Sequence, residues 1–241
     1  KREWLVSFFD LKEAFFTEHS LGPMMYDMFR RFLRDAGLNE KNHFTSFAEL
    51  IEQIGWESDT ALGLMMVNLA MENPQIAWYV NTLDIGVYYE RKQVEEMLTS
   101  LDVKPKDAKS IVKSYKRIME TPFGTTLNFG YFTDDENIVR LKWSMSDNRV
   151  FLYALYRFVE KCNLNREFNV SYLFDESIER DGVSPVRLFG LYDEEELRNV
   201  LLGLSARYPN FINATYTNDL QSISLRDKSS SDVLKLFEEE Y

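Results

Sequence analysis

Apolar residues recur along most of this chain at three- and four-residue intervals, the spacing of amphipathic helices, and alternate with polar ones in only a few short places. Trp4, Leu5, Phe8, Phe9, Leu11, Phe15 and Phe16 form the first stripe. Gly22-Pro23 interrupts it, and Met25, Phe29, Phe32 and Leu33 mark a second helix that Gly37 ends. Ser46 and Glu49 have capping-box spacing ahead of Leu50, Ile51 and Ile54, with Gly55 as the stop. Ser58 is placed to cap a helix over 59–71, and Asn73-Pro74 to cap and start another through Ile76, Trp78, Tyr79 and Val80.

From residue 86 the order of elements becomes specific. Residues 86–89 are a short β-prone run, and 91–101 form a helix with Val94, Met97, Leu98 and Leu101 on one side. A tight turn at 102–105 leads into a second helix, begun by Pro105 and running to residue 120. Strand-like runs at 125–132 and 138–143 flank a turn at 133–137. Short strand, helix, turn, helix, hairpin is the order of a winged helix-turn-helix.

The last third repeats that order without any residue-level repeat. A helix over 148–162 precedes a short segment at 170–174, a polar loop at 175–182 and a short helix at 184–189. Asp193 and Glu196 then start a helix through Leu197, Val200, Leu201 and Leu204. A hairpin of 211–217 and 222–226 turns at Asn218-Asp219, and a helix over 231–239 closes the chain. The expected fold is mainly α with short β-hairpins (α+β). It divides into a helical segment at 1–55, a winged-helix-like unit at 56–146 and a second at 147–241.

Composition agrees with packed cores: 45% of the 241 residues are hydrophobic and 15% aromatic, while 10 Gly and 6 Pro leave little room for long linkers. The single cysteine, Cys162, excludes an internal disulfide framework and fits a reducing compartment. No apolar run approaches the roughly 18–20 residues of a membrane span, and no signal-peptide pattern opens the chain, so the expected location is the cytoplasm. The chain begins Lys1-Arg2-Glu3-Trp4, without an initiator Met, and enters an apolar pattern at once; it reads as a piece of something longer. A net charge of −11 opposes nucleic-acid binding in bulk, so contact with DNA requires a local basic patch.

One such patch exists. In the second helix of the first unit Lys106, Lys109, Lys113 and Lys116 recur at i, i+3, i+7 and i+10, with Arg117 beside them. Ala108, Ile111, Val112, Tyr115, Ile118 and Met119 occupy the opposite face. In a winged helix this element enters the major groove. The following hairpin adds Arg140 and Lys142, but also the acids Asp134, Asp135 and Glu136 at its tip. The competing reading is an ordinary surface helix with a solvated lysine face. The matching helix of the second unit opens Asp193-Glu194-Glu195-Glu196, which suits a helix N-terminus and repels phosphate. Glu194, Glu195 and Glu196 therefore point to a protein partner.

No catalytic constellation emerges. His19 and His43 lack any partner at metal-ligand spacing, and Cys162 reads as a small residue at the end of an amphipathic helix. Gly124 and Gly130 lack the Lys-Ser/Thr ending of a phosphate-binding loop. Acids at 134–136 suit a turn, and Trp78, Tyr79, Tyr88 and Tyr89 suit packing better than base stacking. No catalytic residue, metal or cofactor is expected of this chain itself.

Four phrases add a resemblance: Glu18-His19-Ser20-Leu21-Gly22-Pro23, Asn73-Pro74-Gln75-Ile76-Ala77-Trp78-Tyr79-Val80, Thr121-Pro122-Phe123-Gly124, and Ser184-Pro185-Val186-Arg187-Leu188-Phe189-Gly190-Leu191. Together they resemble the C-terminal extension of large bacterial phosphoadenosine phosphosulfate reductase-like proteins, which often belong to DNA-modification or phage-defence gene clusters. That family's catalytic half carries a Ser-Gly-Gly-Lys-Asp-Ser-type pyrophosphate loop, and some members add cysteines for an iron–sulfur cluster. This sequence has neither, so no catalytic residue carries over. The resemblance implies an accessory domain, attached to or working beside an adenylating or sulfur-transferring enzyme, with nucleic acid as a candidate substrate of that enzyme. A stand-alone winged-helix transcriptional regulator and a nucleotide-dependent enzyme with an unrecognised site remain open as alternatives.

Overall fold

The structure, a computed structural model, describes residues 2–175, 182–217 and 221–238. Its first helix, α1 (Arg2–Leu11), does not continue through the apolar stripe. Lys12 takes a φ of 52°, a 3-10 turn (Lys12–Ala14) follows, and α2 (Phe15–Glu18) sets off in a new direction. The bend folds Phe15 and Phe16 back onto Phe8, with ring centroids 5.8 and 6.1 Å away. Helix α3 (Pro23–Asp35) begins at the expected proline. A two-stranded hairpin, β1 (Asn39–Glu40) and β2 (His43–Phe44), follows; two residues per strand leave no readable alternation. Helix α4 (Ser46–Ile54) is capped by Thr45, not Ser46: the Thr45 hydroxyl accepts from Ala48 N and donates to Gly37 O.

Helix α5 (Asp59–Glu72), capped by Ser58, is the centre of the molecule. Eleven of its 14 residues are buried, the mark of a helix enclosed on all sides. It packs against α3, α4, α6 (Pro74–Thr82) and α10 (Arg149–Lys161). Its Asn68 donates to Ala36 O at 3.1 Å and accepts from Tyr153 Oη at 2.7 Å, which joins the N-terminal segment to the last third through one buried amide.

The first unit continues from α6 through β3 (Tyr88–Glu90), α7 (Arg91–Thr99), α8 (Pro105–Met119), the short α9 (Pro122–Thr125), β4 (Gly130–Phe132) and β5 (Asn137–Arg140). Its antiparallel sheet has the order β3-β5-β4. The second runs from α10 through β6 (Glu167–Asn169), a 3-10 turn (Val170–Leu173), α11 (Pro185–Phe189), α12 (Glu194–Arg207), β7 (Ile212–Tyr216) and β8 (Gln221–Leu225), with sheet order β6-β8-β7. Helix α13 (Ser230–Glu238) packs on α10. Both units thus place the first strand against the last, and the chain is mainly helical with small antiparallel sheets, the α+β class expected. One apolar core runs through all three parts of the chain.

Residues 125–129, expected as strand, instead complete α9 and a turn. The two glycines there serve packing. A Cβ on Gly124 would lie 1.9 Å from Met119 O, and Gly130, at φ 154°, would place one 2.5 Å from Tyr79 Oη. The expected turn at Asn218-Asp219 and residues 176–181 of the polar loop lie outside the described residues. No helix among the described residues is long and apolar enough to cross a membrane.

Candidate nucleic-acid interface

Helix α8 is held by its apolar side. Ala108, Ile111, Val112, Tyr115 and Met119 are buried, the Tyr115 ring lies 5.1 Å from that of Tyr79, and Tyr115 Oη donates to Gln75 O at 2.8 Å. Burial pushes the phenols of Tyr79 and Tyr115 well above their ordinary range, so both are neutral, structural groups. With that face fixed, the periodicity leaves Lys106, Lys109, Lys113 and Arg117 exposed on the other. Among the described residues none of these four forms an ion pair or hydrogen bond through its side chain. Phosphate contact here would not have to break an existing pair.

Lys116 has a different role. Its ammonium meets Glu136 on the hairpin and lies 5.6 Å over the Phe132 ring. Arg91 holds the other Glu136 oxygen at 2.8 Å. Lys116 first, and Arg91 second, draw the Glu136 carboxyl below the usual carboxylate range. This cluster ties the wing to α8 and neutralises one of the three tip acids, while Asp134 and Asp135 stay exposed.

Two expected residues leave the candidate surface. Arg140 is 1% exposed, because α6 and α11 close over the end of β5. Its Nη1 donates to Val80 O and Leu83 O, and its Nη2 to Arg187 O. Lys142 pairs with Glu196 of α12. Both were assigned to a solvent-facing wing; both instead join the two units. The cationic face therefore belongs to α8 alone.

The same pair removes Glu196 from the expected protein-facing acids. Glu194 and Glu195 remain exposed without an ion pair among the described residues, beyond the N-cap that Asp193 makes with Glu196 N at 2.8 Å. They line a cleft of about 790 Å³ between α12, the 3-10 turn and the hairpin, together with buried Val170 and Leu197, half-buried Phe174 and exposed Leu202. Arg198, four residues after Glu194, does not pair with it. Its guanidinium lies 5.3 Å from the Tyr216 ring centroid. Tyr216 Oη is buried with no hydrogen-bond partner among the described residues, and this burial raises its pKa. Arg198 and Tyr216 carried no signal in the sequence, since it is the fold that brings β7 over α12.

Among the described residues no group of three or more His, Cys, Asp or Glu side chains is placed to hold a metal ion. His19 stacks on Tyr26 at 3.9 Å, and Cys162 ends α10.

No protein-family profile matches the chain, and no curated protein matches its sequence. Its fold is similar to that of a magnesium ion-bound SspB crystal structure, with a TM-score of 0.73 and 14% identity over 100% of this chain and 84% of that one. A second SspB crystal structure gives a TM-score of 0.69 and 15% identity, again over 100% and 84%. At these identities the likeness is one of fold.

Proposed function

We propose that this chain is a non-catalytic interaction module whose first unit holds DNA by its phosphate backbone and whose second unit meets a protein. The unpaired face of Lys106, Lys109, Lys113 and Arg117, on the helix that a winged helix presents to DNA, is the observation that carries the reading. A chain of net charge −11 that keeps four cations unpaired on one face gains phosphate affinity there at a cost in self-attraction elsewhere. The exposed Glu194 and Glu195 of α12 favour a protein in the second unit. In keeping with the four sequence phrases, we assign the module to the accessory region of a phosphoadenosine phosphosulfate reductase-like protein of a DNA-modification or defence system, working in the cytoplasm. There it would guide a linked or neighbouring nucleotide-dependent enzyme onto its substrate.

Fluorescence anisotropy with a mixed-sequence duplex, at about 50 and about 200 mM salt, tests the DNA contact. Three to four phosphates give a log–log slope of roughly −3, hence about a 60-fold loss of affinity across that range. Lys106→Glu/Lys109→Glu/Lys113→Glu should abolish binding with an unchanged melting temperature. Absence of binding at the lower salt, or binding that survives the triple change, overturns the proposal.

A further inference from the structure

Helix α3 presents a face that nothing among the described residues covers. Met24, Met25 and Met28 are 78%, 46% and 47% exposed. Met24, Met28 and Arg31 follow one line along the helix at i, i+4 and i+7, and the exposed Asp27, Arg30 and Arg34 occupy the adjoining line. Arg34 pairs with buried Asp35 at 2.7 Å, whereas Arg30 and Arg31 are exposed and have no side-chain partner among the described residues. An acidic chain thus carries, on one convex helix, an adaptable thioether surface bordered by the guanidinium groups of Arg30 and Arg31 and the single carboxylate of Asp27.

The α12 cleft has the opposite character. It is concave, with buried Val170 and Leu197, half-buried Phe174 and exposed Leu202 as its apolar lining, and it carries the carboxylates Glu194 and Glu195, with no ion pair among the described residues, beside the guanidinium of Arg198. Helix α3 packs with α5 and β1, while α12 packs on β7, so the two surfaces are carried by different elements of one continuous core.

We infer that α3 of one copy docks into the α12 cleft of the next. Met24 and Met28 lie against the apolar lining, and Arg30 and Arg31 face Glu194 and Glu195. Apolar surface meets apolar surface and the two guanidinium groups meet the two carboxylates, and the partner needs no chemistry that this chain lacks. The contact is heterologous, since each copy offers one helix and one cleft; assembly therefore proceeds head to tail and does not stop at a dimer unless the ring closes. It is also small. A 13-residue helix is about 20 Å long, and one face of it buries well under the ~800 Å² per partner of a stable interface. Association is accordingly weak and concentration-dependent.

Sedimentation velocity on the full chain, from about 5 to about 200 µM in moderate salt, spans the affinities expected of such a contact. The average mass should rise with concentration above the 28.5 kDa of one copy. Arg30→Glu/Arg31→Glu should stay monomeric with the parental melting temperature. Glu194→Lys/Glu195→Lys should stay monomeric too, although two cations in the first turn of α12 should lower its melting temperature slightly. An equimolar mixture of the two should assemble again, because each reversed face then meets a complementary one. Met24→Gln/Met28→Gln should weaken assembly without changing the sign of any charge. A parental chain that stays monomeric throughout overturns the inference. So does assembly that one charge variant abolishes and the other leaves intact, or a mixture that stays monomeric. DNA plays no part in these measurements, so their outcome is independent of the α8 proposal.

Discussion

Arg140 Nη1 donates to Val80 O at 2.7 Å, and the same nitrogen reaches Leu83 O at 2.8 Å. Val80 lies in the last turn of α6, where carbonyls have no partner within the helix and the helix dipole favours a cation. The guanidinium's other nitrogen serves Arg187 O in α11, so one buried charge caps helices from both units. Arg187 returns the contact by donating to Asn81 O. The joint between the units is thus polar, buried and satisfied, which keeps α8 and α12 in a fixed relation.

Replacing that guanidinium should be costly. Arg140→Met keeps much of the volume but strands the Val80 and Leu83 carbonyls, each worth about 1–3 kcal/mol, and leaves Arg187 O only its bond from Gly190 N, so urea denaturation should show a loss of roughly 2–5 kcal/mol. Arg140→Lys should recover only part of this, because a single ammonium cannot span acceptors on two helices. A loss below about 1 kcal/mol for the methionine variant would mean that the carbonyls find water and that Arg140 is not the joint.

The amide–phenol pair Asn68–Tyr153 should behave as a unit. Tyr153→Phe removes the donor and leaves Asn68 Oδ1 buried, a cost of about 1–3 kcal/mol. Asn68→Leu also frees Ala36 O, so it should cost more, and the double variant should fall short of the sum of the two. Burial pushes the Tyr153 phenol up to about 12, and spectrophotometric titration should find it ionising after the exposed tyrosines. Strict additivity in the double-mutant cycle would count against a coupled pair.

The order of elements was readable because its signals are local. Pro105, Asn73-Pro74 and Asp193 start helices where they stand in the sequence, and spacing alone puts Lys106, Lys109 and Lys113 on one face of α8. What spacing does not carry is tertiary pairing. Lys116, Arg140, Lys142 and Glu196 look like ordinary surface charges, yet their partners lie 20 to 60 residues away. The break at Lys12 was hidden for a related reason: the apolar stripe runs on through Phe16, but to reach Phe8 the chain must turn, and no glycine or proline announces it. Arg198 and Tyr216 meet only because β7 lies over α12.

Two glycines should respond to alanine in opposite ways. At Gly124 a Cβ would fall 1.9 Å from Met119 O and 2.6 Å from Met119 C, backbone atoms that cannot swing aside. Gly124→Ala should therefore cost several kcal/mol, or about 3 or more, by forcing α9 away from the end of α8. Gly203 lies in the exposed part of α12 with nothing within 4 Å of a Cβ. Gly203→Ala should stabilise by about 0.5–1 kcal/mol through helix propensity and a less disordered unfolded chain. Thermal melts of the two variants, run side by side, decide both points.

Acid should weaken the fold through specific carboxylates. Glu57 beside Arg2, Glu136 beside Lys116 and Arg91, and Asp232 beside Lys235 and Ser229 all titrate below their ordinary values in the folded chain. A depressed folded pKa means stability that is complete above the unfolded value, near pH 4, and lost as the pH falls through the folded one. Melting temperature should therefore hold from neutrality down to about pH 5 and decline below about pH 4, and Glu136→Gln should flatten that decline. At neutral pH the same substitution separates structure from binding. Freed of Glu136, Lys116 joins Lys109 and Lys113 as a cation available to phosphate, so DNA affinity at low salt should increase and the salt slope should steepen by about 0.9. A slope unchanged by Glu136→Gln would show that Lys116 points away from the nucleic acid even when released, and would confine the interface to Lys106, Lys109, Lys113 and Arg117.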